Sequence, residues 1–207
     1  MNKILGGDWK PLAILAFTAL YVAAFGIWFF ISRNEEFVSY IVIVIAVFGL
    51  VVGLARWLGL PDYVLALLSV AGFMHLAGGG VRVGGDVLYA YQIVTLMQSN
   101  DAGFYILRYD QVVHAFGYGV AALALWHVLA RHAKTLPPAA RAFFAAAGAM
   151  GLGSLNEVFE FIAFVSFAHT GVGDYYNNSL DLVFNTLGAT IAAVGALLAR
   201  PKDSPGK

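Results

Sequence analysis

Three pairs of polar residues lie inside stretches that are otherwise apolar: Asp110 with His114, Glu157 with Glu160, and Asp181 with Asn185. A charged side chain at membrane depth is costly unless it is paired or hydrated, so ionisable residues inside a spanning segment point to function by default. Spacings of four (Asp110/His114, Asp181/Asn185) and of three (Glu157/Glu160) put both members of each pair on one helix face. These residue types offer two chemistries. Glu157, His114 and Asp110 have the makings of a catalytic acid/base set. His75, His114, Glu157, Glu160 and Asp181 have the makings of a divalent-metal site. Mixed imidazole and carboxylate donors suit Zn, Mn or Fe better than copper or a thiolate-bound metal, and the chain has no cysteine. Asn185 and the loop residue Asp174 are the candidate substrate contacts.

Each pair also has a plainer reading. Asp110 at a helix start can simply fix the tautomer of His114. Asp181 near a helix N-terminus is favoured electrostatically in any case. Glu157 and Glu160 are harder to dismiss, because two carboxylates on one buried face repel unless a proton, a cation or a histidine intervenes. A hydrogen-bonded cluster that only specifies packing is the structural alternative.

The elements that position these residues follow from composition. Of 207 residues 60% are hydrophobic and 12% charged, and the mean hydropathy is +0.78. That is too apolar for a soluble domain, and about 20 apolar residues make one helical span. Six segments qualify, at about 12–32, 37–57, 62–79, 109–130, 139–168 and 177–199. The expected fold is all-α: a polytopic membrane protein of six transmembrane helices forming one domain over 1–207. A net charge of zero without a basic stripe argues against nucleic acid as a partner. Membrane lipids are the expected surroundings. The first span reads as retained rather than as a signal peptide, since Ser32-Arg33-Asn34 offers no A-x-A-like cleavage site.

Lys and Arg placement sets the orientation. With the N-terminus inside, Lys3, Lys10, Arg56, Arg131, Lys134, Arg141, Arg200, Lys202 and Lys207 are cytoplasmic, and Arg33, Arg82 and Arg108 external. Both termini are therefore expected in the cytoplasm. The long connection at about 80–108 is then external, and reads as a short interfacial helix, a re-entrant segment or a loop draped on the bundle. Asp62 is expected to cap the third span, and Asn177, Asn178 and Ser179 the sixth.

Orientation and spacing place the polar pairs at one depth. His114 and Asp181 lie roughly 6 Å inside their external helix ends, and Glu160 and Asn185 about twice that. Gly117, Gly153 and Gly188 each extend a polar face one turn towards the cytoplasm, and Gly72 does so below His75. A polar pocket facing outward, floored by closely packed glycines, is the object this pattern predicts. Spans three to six are expected to build it and spans one and two only to shield it, because neither of those carries a charge or a histidine in its apolar interior.

The motifs Arg108-Tyr109-Asp110-x-x-x-His114, Asn156-Glu157-x-x-Glu160 and Gly173-Asp174, followed by Asp181-x-x-x-Asn185-x-x-Gly188, resemble those of the YjdF-type bacterial inner-membrane proteins. In reduced form they are similar to the VanZ-like family, which is associated with low-level teicoplanin resistance. Asn177 stands where the YjdF-type pattern has a further acidic residue, and Gly80 where it has a histidine. The resemblance implies a helical protein of the bacterial inner membrane and supplies no reaction. Three functions fit the residues. The first is a hydrolase or transferase acting on an amphipathic or lipid-linked substrate. The second is a non-catalytic accessory or binding protein, and the third a small-molecule or ion transporter.

Overall fold

A computed structural model describes residues 9–32, 35–53, 55–98, 105–166 and 175–200. In chain order the helices are α1 (Trp9–Ile31), α2 (Glu35–Gly53), the short α3 (Ala55–Leu58), α4 (Asp62–Gly80), α5 (Tyr109–His132), α6 (Pro138–Ser166) and α7 (Tyr175–Ala199). Among the described residues, α1, α4, α5, α6 and α7 are long and apolar enough to cross a membrane. α2, of 19 residues, occupies the position of the expected second span. Helix limits fall close to those read from hydropathy, because the length of an apolar run is itself the signal.

The packing is inverted relative to a soluble bundle. α5, α6 and α7 lean most extensively on one another, around a core of Ala122, Trp126, Ala142, Ala145, Ala149, Ala189 and Ala193. Large apolar residues point outward instead, with Phe161 62%, Ile191 70% and Leu198 77% exposed. Hydrocarbon solvates Leu as well as a protein core does, so close backbone approach, not burial of bulk, holds such helices together. Small residues recur every three or four positions on α6 (Ala142, Ala145, Ala149, Gly153), which supplies that closeness. The α5–α7 seam is tightest. Gly119 lies against the backbone of Gly188, and a Cβ on Gly188 would overlap the carbonyl of Ala115. Ala115/Gly119 and Gly188/Ala192 are thus facing small-residue pairs at a spacing of four, the pattern that brings membrane helices into contact.

A second cluster forms from Tyr21, Val22, Phe29, Ile41 and Leu76 on α1, α2 and α4. Polar bonds stitch this half: Thr18 Oγ1 to Ser69 Oγ at 2.7 Å, and the Tyr21 hydroxyl donating to the Ser69 carbonyl at 2.9 Å. The two halves meet where α4 packs on α5. At one end, Tyr63 bonds His127 at 2.6 Å and His132 bonds the Trp57 carbonyl at 2.6 Å.

The connection after α4 departs from the expected helix or draped loop. It forms two antiparallel hairpins, β1 (Arg82–Val83) with β2 (Asp86–Val87) and β3 (Gln92–Gln98) with β4 (Tyr105–Arg108), joined by a 3₁₀ turn at Leu88–Ala90. Gly84 and Gly85 take positive φ, 64° and 99°, in the two-residue turn, a conformation suited to a tight hairpin. β-branched Ile93, Val94 and Thr95 favour a strand over a helix in the same apolar run. The expected caps also differ. α4 is capped by Pro61 with Asp62 in its first turn, and α7 begins at Tyr175, so Asn177, Asn178 and Ser179 lie within the helix.

Candidate functional site

The three polar pairs meet where α5, α6 and α7 converge, towards the end of the bundle that carries the hairpins. His114 sits about 8 Å along α5 from Tyr109, and Asp181 about 9 Å along α7 from Tyr175. Asp181, Asn185, Glu157 and His114 are buried, with exposures of 0%, 1%, 5% and 6%. Helical spacing explains this convergence: Asn177, Asp181, Asn185, Ala189 and Ala193 form one buried stripe on α7, while Glu157 and Glu160 continue the small-residue stripe of α6.

His114 is the hub. Its Nδ1 is 2.9 Å from Asn185 Oδ1 and 3.6 Å from Glu157 Oε1, and its Nε2 is 3.4 Å from Asp110 Oδ1. An amide oxygen only accepts, so Nδ1 carries the proton of the Asn185 bond and Nε2 faces Asp110. Three asparagines then hold the carboxylates. Asn177 Nδ2 donates to Asp110 Oδ2 at 3.0 Å and to Asp181 Oδ2 at 2.7 Å. Asn178 Nδ2 donates to Glu157 Oε2 at 2.7 Å, and Asn156 Nδ2 to Glu160 Oε1 at 2.7 Å. Glu157 Oε1 and Asp181 Oδ1 are buried with no hydrogen-bond partner among the described residues.

The sequence places Asn156 in the Glu157–Glu160 motif and reads Asn177 and Asn178 as caps, and in neither case as partners that hold the carboxylates. The missed signal is that Asn177 precedes Asp181 by four residues and so shares its face, whereas a run of polar residues beside a loop reads first as a cap.

Among the described residues, two groups of potential metal ligands share His114: Asp110, His114 and Asp181, and His114, Glu157 and Glu160. Within each, the donor atoms lie no more than 4.8 Å apart. His75 joins neither group. Its Nδ1 is 2.6 Å from the Tyr89 hydroxyl, which donates to the His75 carbonyl at 2.9 Å, so the 3₁₀ turn between the hairpins fixes this ring. Asp174 lies outside the described residues.

The glycine floor is formed in part. Gly188 closes the α5–α7 seam, and Gly153 makes room for Asn185, whose Nδ2 would be 2.7 Å from a Cβ there. Gly117 instead faces open space. It borders a cavity of about 320 Å³ that also touches His114, His75, Tyr118 and Asn156 and is walled by α1, α2 and α4. α1 and α2 thus supply part of the wall of a cavity that reaches His114. Hydropathy could not show this, because a cavity wall of Ile14, Leu15, Val44 and Val47 has the same composition as a lipid-facing surface.

A family model described as "Predicted membrane protein (DUF2238)" matches residues 13–202, nearly the whole chain. The chain belongs to the DUF2238 family. Membership agrees with the inverted packing and the spanning helices, and makes the chain a multi-pass membrane protein of a family whose description carries no activity. No curated protein and no solved structure matches it.

Proposed function

We propose that the polar layer is a divalent-metal site facing the outer side of a bacterial inner membrane, serving a hydrolase or transferase that acts on an amphipathic or lipid-linked substrate. One observation carries this reading: amides hold one oxygen of Glu157 and of Asp181, and leave the other buried without a hydrogen bond, that of Glu157 facing the His114 ring at 3.6 Å. Buried carboxylate oxygens without a hydrogen bond are costly, and a cation offsets that cost. Ligating histidines usually donate their second ring N–H to a carbonyl or carboxylate. Asn185 receives that bond here, which favours Asp110, His114 Nε2 and Asp181 as the ligands.

Glu157, on the Nδ1 side of the ring, is then the acid/base group, oriented by Asn178. Glu160 and His75 border the site, and Asn185 and Asp174 are the substrate contacts. The metal, of the Zn, Mn or Fe class, would supply Lewis-acid polarisation of a substrate oxygen. The YjdF-type and VanZ-like affinities of the motifs belong to this proposal, as does the inner-membrane location.

Elemental analysis of protein purified in mild detergent without chelator tests it. Stoichiometric metal in the wild type, lost in His114→Ala and Asp181→Asn, is the expected result. Metal-free wild type protein sinks the reading. It would favour a VanZ-like accessory role, for which the amide bonds to all four carboxylates are the supporting observation.

A further inference from the structure

We infer that the cavity between α1, α2, α4 and α5 is a binding slot for one hydrocarbon chain of a membrane lipid or lipid-linked substrate, with the head of that molecule at His114. The inference rests on the proposed function for what happens at the head, and on the cavity alone for the chain. From Leu65 to His75 on α4 the slot extends about 15 Å, with Leu65 and Leu68 towards one end and His75, His114 and Asn156 at the other. Thr18, Tyr21 and Ser69 line it between, but their hydroxyls bond one another and the Ser69 carbonyl, so the ionisable groups lie at one end only. A mostly apolar cavity of about 320 Å³ is of ligand size, and its apolar end disfavours water. Inside a bilayer the apolar molecule at hand is an acyl chain.

Access is lateral. Val47 on α2 lines the slot and is 54% exposed, whereas Leu65 on α4 is 7% exposed. A chain can pass from the bilayer beside α2 without leaving hydrocarbon, while its head moves within the polar layer. Chain transfer from bilayer to slot exchanges one apolar surrounding for another, so burial adds little driving force. Binding should therefore depend weakly on chain length until the chain outgrows the slot, and then fall off. Filling of the cavity and bonds at the polar end must supply selectivity.

Nanodiscs of phosphatidylethanolamine and phosphatidylglycerol, doped with a phospholipid bearing a photoactivatable diazirine near the end of one acyl chain, provide the test. Annular lipid labels exposed residues such as Ile191 and Leu198 in any case. Slot occupancy adds labelling at Leu65, Leu68 or Ala71. Leu68→Trp and, separately, Val47→Trp should reduce that inner labelling about tenfold relative to the outer residues, with thermal stability followed in parallel. Val47→Trp, altering the surface-exposed wall, reads the slot even if Leu68→Trp fails to fold. Labelling confined to outer residues, or inner labelling unchanged by Val47→Trp in folded protein, overturns the slot. Inner labelling that persists in protein shown to bind no metal keeps the slot and removes the metal reading, so the two failures are distinguishable.

Discussion

At the scale of single residues, the layer's chemistry turns on charge balance. Asp110, Glu157, Glu160 and Asp181 surround one histidine, so acid exceeds base unless a cation or protons make up the difference. Glu157→Gln keeps shape and most hydrogen bonding and removes a charge. It is expected to abolish activity while leaving the melting temperature near that of the wild type. Glu157→Leu leaves the Asn178 amide unpaired as well, and should cost about 1–3 kcal/mol in thermal unfolding in detergent. Wild-type function in Glu157→Gln, together with undiminished stability in Glu157→Leu, would make the layer packing alone.

Asn177 gives a sharper reading, since one amide bonds Asp110 and Asp181 together. Asn177→Leu should weaken metal binding about 10–100-fold, as loss of groups that orient metal ligands commonly does. Titration of the apoprotein with Zn or Mn measures it. Unchanged affinity would exclude Asn177 from positioning the ligands.

At the scale of elements, the site depends on how closely α5 and α7 approach. Gly188 allows that approach, and it lies on the turn after Asn185, the partner of His114. Gly188→Ala forces the added methyl against the Ala115 carbonyl, so the seam must open. The expected result is a lower melting temperature and weakened metal binding from a single methyl group in a helix that otherwise favours alanine. Gly195→Ala, where a Cβ meets nothing within 4 Å, is the control and should leave both unchanged. Equal behaviour of the two variants would show that the seam does not hold the site.

This scale also separates what the sequence made legible from what it did not. Span positions and the shared face of Asp110 and His114 follow from local periodicity, which hydropathy and spacing report directly. The hairpins were hidden because an apolar run of about ten residues suits helix and strand alike, and Gly84-Gly85 tips the balance. The bonds from Asn177 to Asp110 and from Asn178 to Glu157 were hidden because they cross helices, where the chain's own spacing carries no information, whereas those from Asn156 to Glu160 and from Asn177 to Asp181 lie at a legible spacing of four.

For the whole molecule, the functional reading requires that the polar layer face the outside. The hairpins and the layer share one end of the bundle. Arg131, Lys134 and Arg141 lie around the opposite connection between α5 and α6, and Arg200 just after α7. Basic residues stay on the cytoplasmic side during insertion, so the hairpin end should be external and both termini cytoplasmic. Paired alkaline phosphatase and green fluorescent protein fusions test this. At Lys207 the fluorescent fusion should be bright and the phosphatase inactive, and in the segment 99–104 the phosphatase should be active. Active phosphatase at Lys207 would invert the molecule. The acid and histidine layer would then lie in the inner half of the bilayer, beyond the reach of a lipid-linked head group exposed outside. The metal chemistry could survive that reversal, whereas a substrate drawn from the outer leaflet could not.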